Sequence, residues 1–145
     1  MKPGGSLPIQ VRPGGEKDLE SIARIQSSSP EAACWEPSSY LDHHLLVAVS
    51  ETGVLGFLVW RNIGPAEQEI LNVAVAPAER RKGIAKLLIQ RALQAMEGDV
   101  FLEVRESNTP ARRLYEWHGF CLVGIRNQYY AHPAEAAIVM RFQSC

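Results

Sequence analysis

Runs of apolar and polar positions divide the chain into about a dozen elements. Residues 9–12 form a short apolar-polar strand that Pro13-Gly14-Gly15 ends. From Asp18 to Gln26 apolar residues recur at Leu19, Ile22, Ala23 and Ile25, one face of an amphipathic helix, and Ser27-Ser28-Ser29-Pro30 stops it. Tyr40-Leu41 fits a short second helix. Two apolar runs, 45–49 and 54–60, are separated by Ser50-Glu51-Thr52-Gly53, a hairpin signal. Asn62-Ile63-Gly64-Pro65 reads as another turn, and 67–76 as the third strand of a meander. From Ile84 the apolar set Leu87, Leu88, Ile89, Ala92 and Leu93 covers one flank of a helix expected to run to Gly98. Val100 to Val104 is a strand, and ESNTP at 106–110 caps a helix carrying Ala111, Leu114, Tyr115 and His118 on one face. The last two strands, 120–125 and 136–142, are joined through Arg126-Asn127-Gln128-Tyr129-Tyr130. The predicted order is β-α-α-β-β-β-α-β-α-β-β. This is an α/β layered domain whose sheet is mostly antiparallel, with one parallel strand brought in by a crossover helix.

Residues 1–8, MKPGGSLP, read as a flexible tail and 9–145 as one domain, since 145 residues suit a single core. The hydrophobic content of 46% and charge of 21% are those of a globular protein. A net charge of −1 argues against a nucleic-acid surface. Cys34, Cys121 and Cys145 are scattered, and His43, His44, His118 and His132 show no ligand spacing, so neither disulfides nor a metal is expected. No apolar run approaches the ~20 residues of a membrane span, nor is there a signal peptide. A soluble cytoplasmic protein is the expectation.

The candidate chemistry centres on ILNVAVAPAERRKGIAKLL at 70–88. Here a strand stops at Pro77 and passes through a basic, glycine-containing turn straight into a helix. The first amides of that helix have no internal partners, and with the helix dipole and Arg80, Arg81 and Lys82 they suit an anion such as a pyrophosphate. Neither G-x-x-x-x-G-K-[ST] nor G-x-G-x-x-G is present. The pattern [QR]-x-x-G-x-[GA], here Arg80-x-x-Gly83-x-Ala85, resembles the acyl-CoA loop of the GNAT family of N-acetyltransferases. The segment FLEVRESNTPARRLYEWHGF extends the likeness over 70–126, and L-N-V-A-V, F-L-E-V-R-x-S-N, L-Y-E-x-x-G-F and R-x-x-Y-Y resemble its RimI branch, which acetylates the N-terminal alanine of a ribosomal protein.

That resemblance implies a GNAT-like sheet flanked by helices, acetyl-CoA as co-substrate and a protein N-terminus, possibly of a ribosomal protein, as acceptor. It implies residue roles as well. The backbone of Val73, Ala74 and Val75 would pair with pantetheine, and Arg81, Lys82, Gly83, Ile84, Ala85 and Lys86, after Arg80, would hold the pyrophosphate. Glu103 matches the base, with Glu67 and Glu69 as rivals, and Tyr115 matches the acid that protonates the thiolate. Asn108 matches a contact to the cofactor arm, although it can equally cap its helix. Trp35, Glu67, Arg126, Tyr129 and Tyr130 are candidates for the acceptor groove. Solvated-edge pairing of Glu103 with Arg105 or Arg112 and core packing of Tyr115 are the structural alternatives. At the level of function, they are acetylation of a small amine or a lysine side chain, and a non-catalytic acyl-CoA-binding module. Arg80 and Ala85 stand where many relatives have Gln and Gly, and 27–44 matches least.

Overall fold

The computed structural model describes residues 8–29, 35–131 and 134–143. Residues 1–7 of the tail expected at 1–8, with Cys34, His132 and Cys145, lie outside the described residues. Within them the elements are β1 (Gln10–Pro13), α1 (Leu19–Ser27), a 3-10 turn (Pro37–Asp42), β2 (His44–Ser50), β3 (Gly53–Gly64), β4 (Glu67–Val75), α2 (Ile84–Ala95), β5 (Asp99–Arg105), α3 (Thr109–Trp117), β6 (Cys121–Ala131) and β7 (Ala134–Gln143). The expected order holds, with the second helix realised as the 3-10 turn begun by Pro37.

Seven strands form one sheet in the order β1-β2-β3-β4-β5-β7-β6. All pairs are antiparallel except β4 with β5, which α2 joins as a crossover. One face is covered by α2 and α3. Ile84, Leu88, Ile89 and Ala92 point from α2 into a cluster with Leu58, Leu102, Val104, Tyr115, Phe120 and Met140. Each buried Leu or Ile there contributes about 1.5–3 kcal/mol relative to exposure. Among the described residues the other face is covered by α1 and the 3-10 turn, where Ile22, Ile25 and Tyr40 pack on Val47, Phe57, Val59 and Ala74. Asp18 ties the start of α1 to β1. Its carboxylate takes two 2.9 Å hydrogen bonds from Arg12, which hold its pKa below the usual carboxylate range.

Four boundaries differ from the sequence expectation. β3 runs on to Gly64, so the turn expected at 62–65 is confined to Pro65 and Ala66. The segment 126–130, expected as a connection, is β6 strand with a register irregularity between Arg126 and Tyr130, and the turn falls after Ala131. α2 stops at Ala95 because Met96 turns extended and buries its side chain, leaving Gly98 (φ +85°) to start β5 against Ala66. β4 is not a regular strand. Its register to β3 shifts between Val59/Trp60, with Ile70 opposite Trp60 and Asn72 opposite Val59, so Leu71 is an extra residue, a β-bulge.

Candidate functional site

The bulge makes the site. β4 pairs with β5 through Glu67–Asp99, Gln68–Val100, Glu69–Phe101 and Ile70–Leu102, and the ladder ends there, one residue before Leu71. A bulge bends its strand and sharpens the local twist, so beyond it β4 leaves β5 and a cleft opens between them. The cleft, of about 190 Å³, is lined by the stretch from Ile70 to Val75 on one side, by Leu102, Glu103 and Val104 on the other, and by Asn108, Ala111, Tyr115 and Tyr130. Ala76 donates its N–H to Leu55 at 2.8 Å. Alternation along an antiparallel strand then turns the peptide groups of Ala74 and Asn72 toward β3, and those of Val73 and Val75 toward the gap. The three-residue backbone expectation at 73–75 therefore reduces to two residues, with Ala74 engaged on the β3 side.

Glu103 and Tyr115 both line this space. Glu103 sits mid-strand on β5, 15% exposed, with Oε1 3.4 Å from Arg126 Nε. Its expected alternative partners are otherwise placed, since Arg105 lies 3.4 Å from Glu135 and Arg112 donates to the Glu106 carbonyl. Glu103 Oε2 is buried and has no hydrogen-bond partner among the described residues. Burial raises the Glu103 pKa, opposed by Arg126, reinforced by Glu69 and opposed by Tyr129. A carboxylate with a desolvated oxygen and a raised pKa is a better base than one in water. Tyr115 is buried on α3, edge-on to Phe120 with centroids 5.8 Å apart. Burial, with Tyr130 nearby, pushes its pKa well above that of free phenol, so the hydroxyl stays protonated at neutral pH and carries a proton to donate. Asn108 caps α3 by accepting from Ala111 N–H at 3.3 Å and also lines the cleft.

At the C-terminal end of β4 the cleft opens into a second trough of about 340 Å³, lined by Val75, Arg80, Arg81, Gly83, Ile84, Ala85, Lys86 and, from α3, Pro110, Ala111 and Leu114. Arg81 (φ 67°) and Gly83 (φ 79°) are both left-handed on either side of Lys82, and no side chain caps α2. Positive-φ residues entering a helix turn successive N–H groups inward, a concavity suited to phosphate oxygens. A Cβ at Gly83 would have no protein atom within 4 Å, so the space beside it is open. The cations divide between roles. Arg80 is spent on the fold, donating to the Val75 carbonyl (3.3 Å), the Ser28 carbonyl (3.2 Å) and Ser29 Oγ (3.1 Å). Lys82 pairs with Glu79 at 3.2 Å, and Lys86 lies over the Trp117 ring at 4.4 Å.

The acceptor candidates are only partly brought together. Tyr130 lines the cleft under the Arg105 guanidinium (4.2 Å), and burial pushes its pKa up to about 12. Tyr129 packs edge-on against Tyr130 at 5.1 Å, with Arg126 over its ring at 5.4 Å. Glu67 begins β4 opposite Asp99, on the far side of the bulge, and Glu69 is paired with Arg61 at 2.9 Å. Neither rival base lines the cleft. Nor does Trp35, 40% exposed, whose carbonyl accepts from Gln26 Nε2 at 2.6 Å.

The family model described as "Acetyltransferase (GNAT) family" matches residues 17–120. The chain belongs to that family. It is an acetyl-CoA-dependent N-acetyltransferase, related in sequence to RimI proteins. It is 37% identical over 137 residues to the [ribosomal protein bS18]-alanine N-acetyltransferase of Haemophilus ducreyi, covering 86% of this chain and 93% of that one. It is 32% identical over 120 residues to N-alpha-acetyltransferase RimI of Mycobacterium tuberculosis, covering 76% of each. Among solved structures, Ard1 of Thermoplasma volcanium superposes with a TM-score of 0.86 at 27% identity, over 94% of this chain and 98% of that one.

Several residues of this GNAT site escaped the sequence reading. Leu71 carries no signature, because a bulge inside an apolar run leaves hydrophobicity unchanged. Ser29 and Arg80 form a strut across 51 residues of sequence, which no local pattern announces. Asn72 was the one detectable case, as the only polar side chain between Ile70 and Val75. It is 5% exposed and bonded to Tyr40 and Gln26.

Proposed function

We propose that this enzyme transfers acetyl from acetyl-CoA to the N-terminal α-amine of a protein, a ribosomal protein that begins with alanine in the RimI manner, in the cytoplasm. The observation that carries the transfer is the bulge-opened cleft, with an unpartnered Glu103 oxygen on one wall and a protonated Tyr115 on the other. Bound acetyl-CoA would supply an electrophilic thioester carbonyl and a thiolate leaving group. Val73 and Val75 would take the amides of its arm as an added strand does, and one N–H there would stabilise the oxyanion. The amides of Ile84, Ala85 and Lys86, with Arg81 and Lys82, would take the pyrophosphate.

The chemistry falls to two side chains. An α-ammonium has a pKa of about 8, so it loses its proton to a modest base. Glu103 Oε2 accepts that proton, and the freed amine adds to the carbonyl carbon to form the C–N bond. The nitrogen then sheds its second proton to water as the C–S bond breaks, which leaves a neutral amide. The Tyr115 hydroxyl gives its proton to the departing sulfur and is reprotonated from solvent, and no acyl-enzyme is required. Glu103 with Arg126, Tyr129 and Tyr130 on the open side of β5 and β6 would border the acceptor. Support for the alanine acceptor comes from the names of the relatives and from the aromatic crowding at Tyr129 and Tyr130, which favours a small first residue. Among the described residues no helix is long and apolar enough to cross a membrane.

The test is acetyl-CoA turnover against matched peptides beginning with Ala, one free and one with a blocked terminus but internal lysines. Turnover of the free peptide only is expected. Equal rates on both would make it a lysine acetyltransferase, and activity on simple amines alone would make it a small-molecule enzyme.

A further inference from the structure

The trough at the start of α2 is walled mostly by apolar side chains. It holds about 340 Å³, the size of a site for a drug-sized group, and α3 forms one side of it with Pro110, Ala111 and Leu114. These residues have nothing to offer a phosphate. Of the charged side chains around it, Arg80 is already bonded to Val75, Ser28 and Ser29, and Glu79 is paired with Lys82 at 3.2 Å. Arg81 and Lys86 complete the charged lining.

Pro110, Leu114 and Trp117 stand at i, i+4 and i+7, so they form one stripe along α3. The stripe that walls the trough therefore runs on to Trp117, one turn beyond Leu114. Lys86, in the first turn of α2 and itself a lining residue, closes the same end with Nζ 4.4 Å from the centre of the Trp117 ring. At 67% exposure Trp117 is the most exposed large apolar side chain among the described residues, so burial in the core does not account for it. The ring is nevertheless held. His118 meets it edge-on at 4.9 Å, and the Lys86 ammonium lies over its face. Burial, and then Lys86, keep the His118 pKa below the usual imidazole value. That imidazole is therefore neutral at neutral pH, and Lys86 supplies the charge beside the ring.

Cleft, free α2 amides and Trp117 thus follow one another in space. Acetyl-CoA is built in the same order, with a thioester arm, a pyrophosphate, and then a flat adenine on a ribose that carries a further phosphate. With the arm in the cleft and the pyrophosphate at the α2 amides, the nucleoside leaves along the trough, where α3 offers it a wall. An aromatic face suits a base, and an ammonium suits a phosphate.

We propose that Trp117 is the platform on which the adenine ring of acetyl-CoA stacks, and that Lys86 binds the ribose phosphate beside it. The inference rests on the acetyl-CoA reading of the trough and adds the nucleotide end to it. Both side chains act on affinity, far from the reacting atoms.

Two pieces of the cofactor separate its ends. Adenosine 3′,5′-bisphosphate carries the ring and both ribose phosphates, and acetyl-pantetheine carries the arm alone. In calorimetric titrations Trp117→Ala should bind acetyl-CoA and the bisphosphate about tenfold more weakly than wild type, the effect of losing one base–aromatic stack, with acetyl-pantetheine within about twofold. Trp117→Tyr, which keeps an aromatic face, should recover most of the loss. The bisphosphate should quench tryptophan fluorescence in wild type and not in Trp117→Tyr, where only Trp35 and Trp60 remain. Lys86→Met should erase a preference of about tenfold for acetyl-CoA over its 3′-dephospho form. Unchanged bisphosphate binding by Trp117→Ala, or an equal loss of acetyl-pantetheine, would overturn the platform. A preference for the 3′-phosphate that survives in Lys86→Met would remove Lys86 from the site. A wild-type protein that binds acetyl-CoA no better than acetyl-pantetheine would overturn the nucleotide site alone, whereas one that binds neither acetyl-CoA nor either piece would sink the acetyl-CoA reading itself.

Discussion

Two glycines with nearly the same backbone separate binding from folding. Gly83 has φ 79° and Gly98 φ 85°, so an alanine at either position adopts a left-handed conformation costing roughly 1–2 kcal/mol. Their surroundings differ. A Cβ at Gly83 meets nothing within 4 Å, whereas at Gly98 it would lie 2.0 Å from the Ala66 carbonyl oxygen and 2.8 Å from its carbonyl carbon. Backbone atoms cannot swing aside as a side chain would, so Gly98→Ala adds overpacking worth roughly 1–3 kcal/mol. At roughly 2–4 °C per kcal/mol for a chain of this size, Gly83→Ala should lower Tm by roughly 2–8 °C and Gly98→Ala by roughly 4–20 °C. Acetyl-CoA affinity should run the other way. The methyl at Gly83 stands in the trough beside the free amides of α2, and losing one charge-assisted hydrogen bond there, worth about 1.5–3 kcal/mol, raises Kd by at least about tenfold. Gly98, on the far side of α2, should leave Kd unchanged in the folded fraction. Calorimetric titration and thermal denaturation of both proteins make the comparison. A folded Gly83→Ala protein that binds acetyl-CoA as tightly as wild type would remove this loop from the site.

Glu103→Gln should lower turnover by roughly 10²–10⁴ and abolish the acidic limb of the pH–rate profile. Because the folded Glu103 pKa lies above its unfolded value, activity should be lost as pH falls through that raised pKa. The unfolded chain releases this proton at lower pH than the folded one, so stability falls as pH rises from the unfolded pKa through the folded one and stays lowered above it, and Tm of the variant at pH 8 should not fall. Tyr115→Phe should lower kcat by a similar factor at every pH below about 10, since the phenol remains protonated throughout, and stopped-flow detection of free thiol reads that step. Deleting Leu71 removes the extra residue while leaving Ile70 and Asn72 on their present faces. β4 should then pair with β5 beyond Leu102, and a folded protein with protected Val73 and Val75 amides and no acetyl-CoA binding is expected. Retained binding would show that the bulge does not open the cleft.

What could be read from the sequence divides along a physical line. Elements with a strong period and a clear stop were legible. α2 was legible from Ile84 because its buried residues recur every fourth position, and α3 because Asn108 and Pro110 cap it. The turn proposed to bind an anion was legible because a left-handed entry to α2 favours glycine at 83. Arg126 to Tyr130 was misread as a connection because β6 is the edge strand of the sheet, and an edge strand need not look apolar. Only the resemblance put Glu103 ahead of Glu67 and Glu69, since what distinguishes them physically is burial and partners. Only the fold shows that Arg61 takes Glu69 and that Glu67 begins on the wrong side of the bulge.

The same reasoning explains why one irregular residue organises so much of the molecule. A regular β4 would carry its ladder to β5 along its whole length and leave no backbone donor for a ligand. Placing Leu71 between Ile70 and Asn72 ends that ladder at Leu102 and turns the peptide groups of Val73 and Val75 into an unpaired edge. An unpaired edge inside a sheet is costly unless it is supported from outside the ladder. Here the support is visible at both ends. Asn72 is bonded to Gln26 and Tyr40, and the Val75 carbonyl accepts from Arg80, which also holds Ser28 and Ser29 at the end of α1. Arg80, a phosphate ligand by its motif, therefore keeps the cleft strand open by fastening it to α1. The open edge at Val73 and Val75 depends on that one departure from regular pairing.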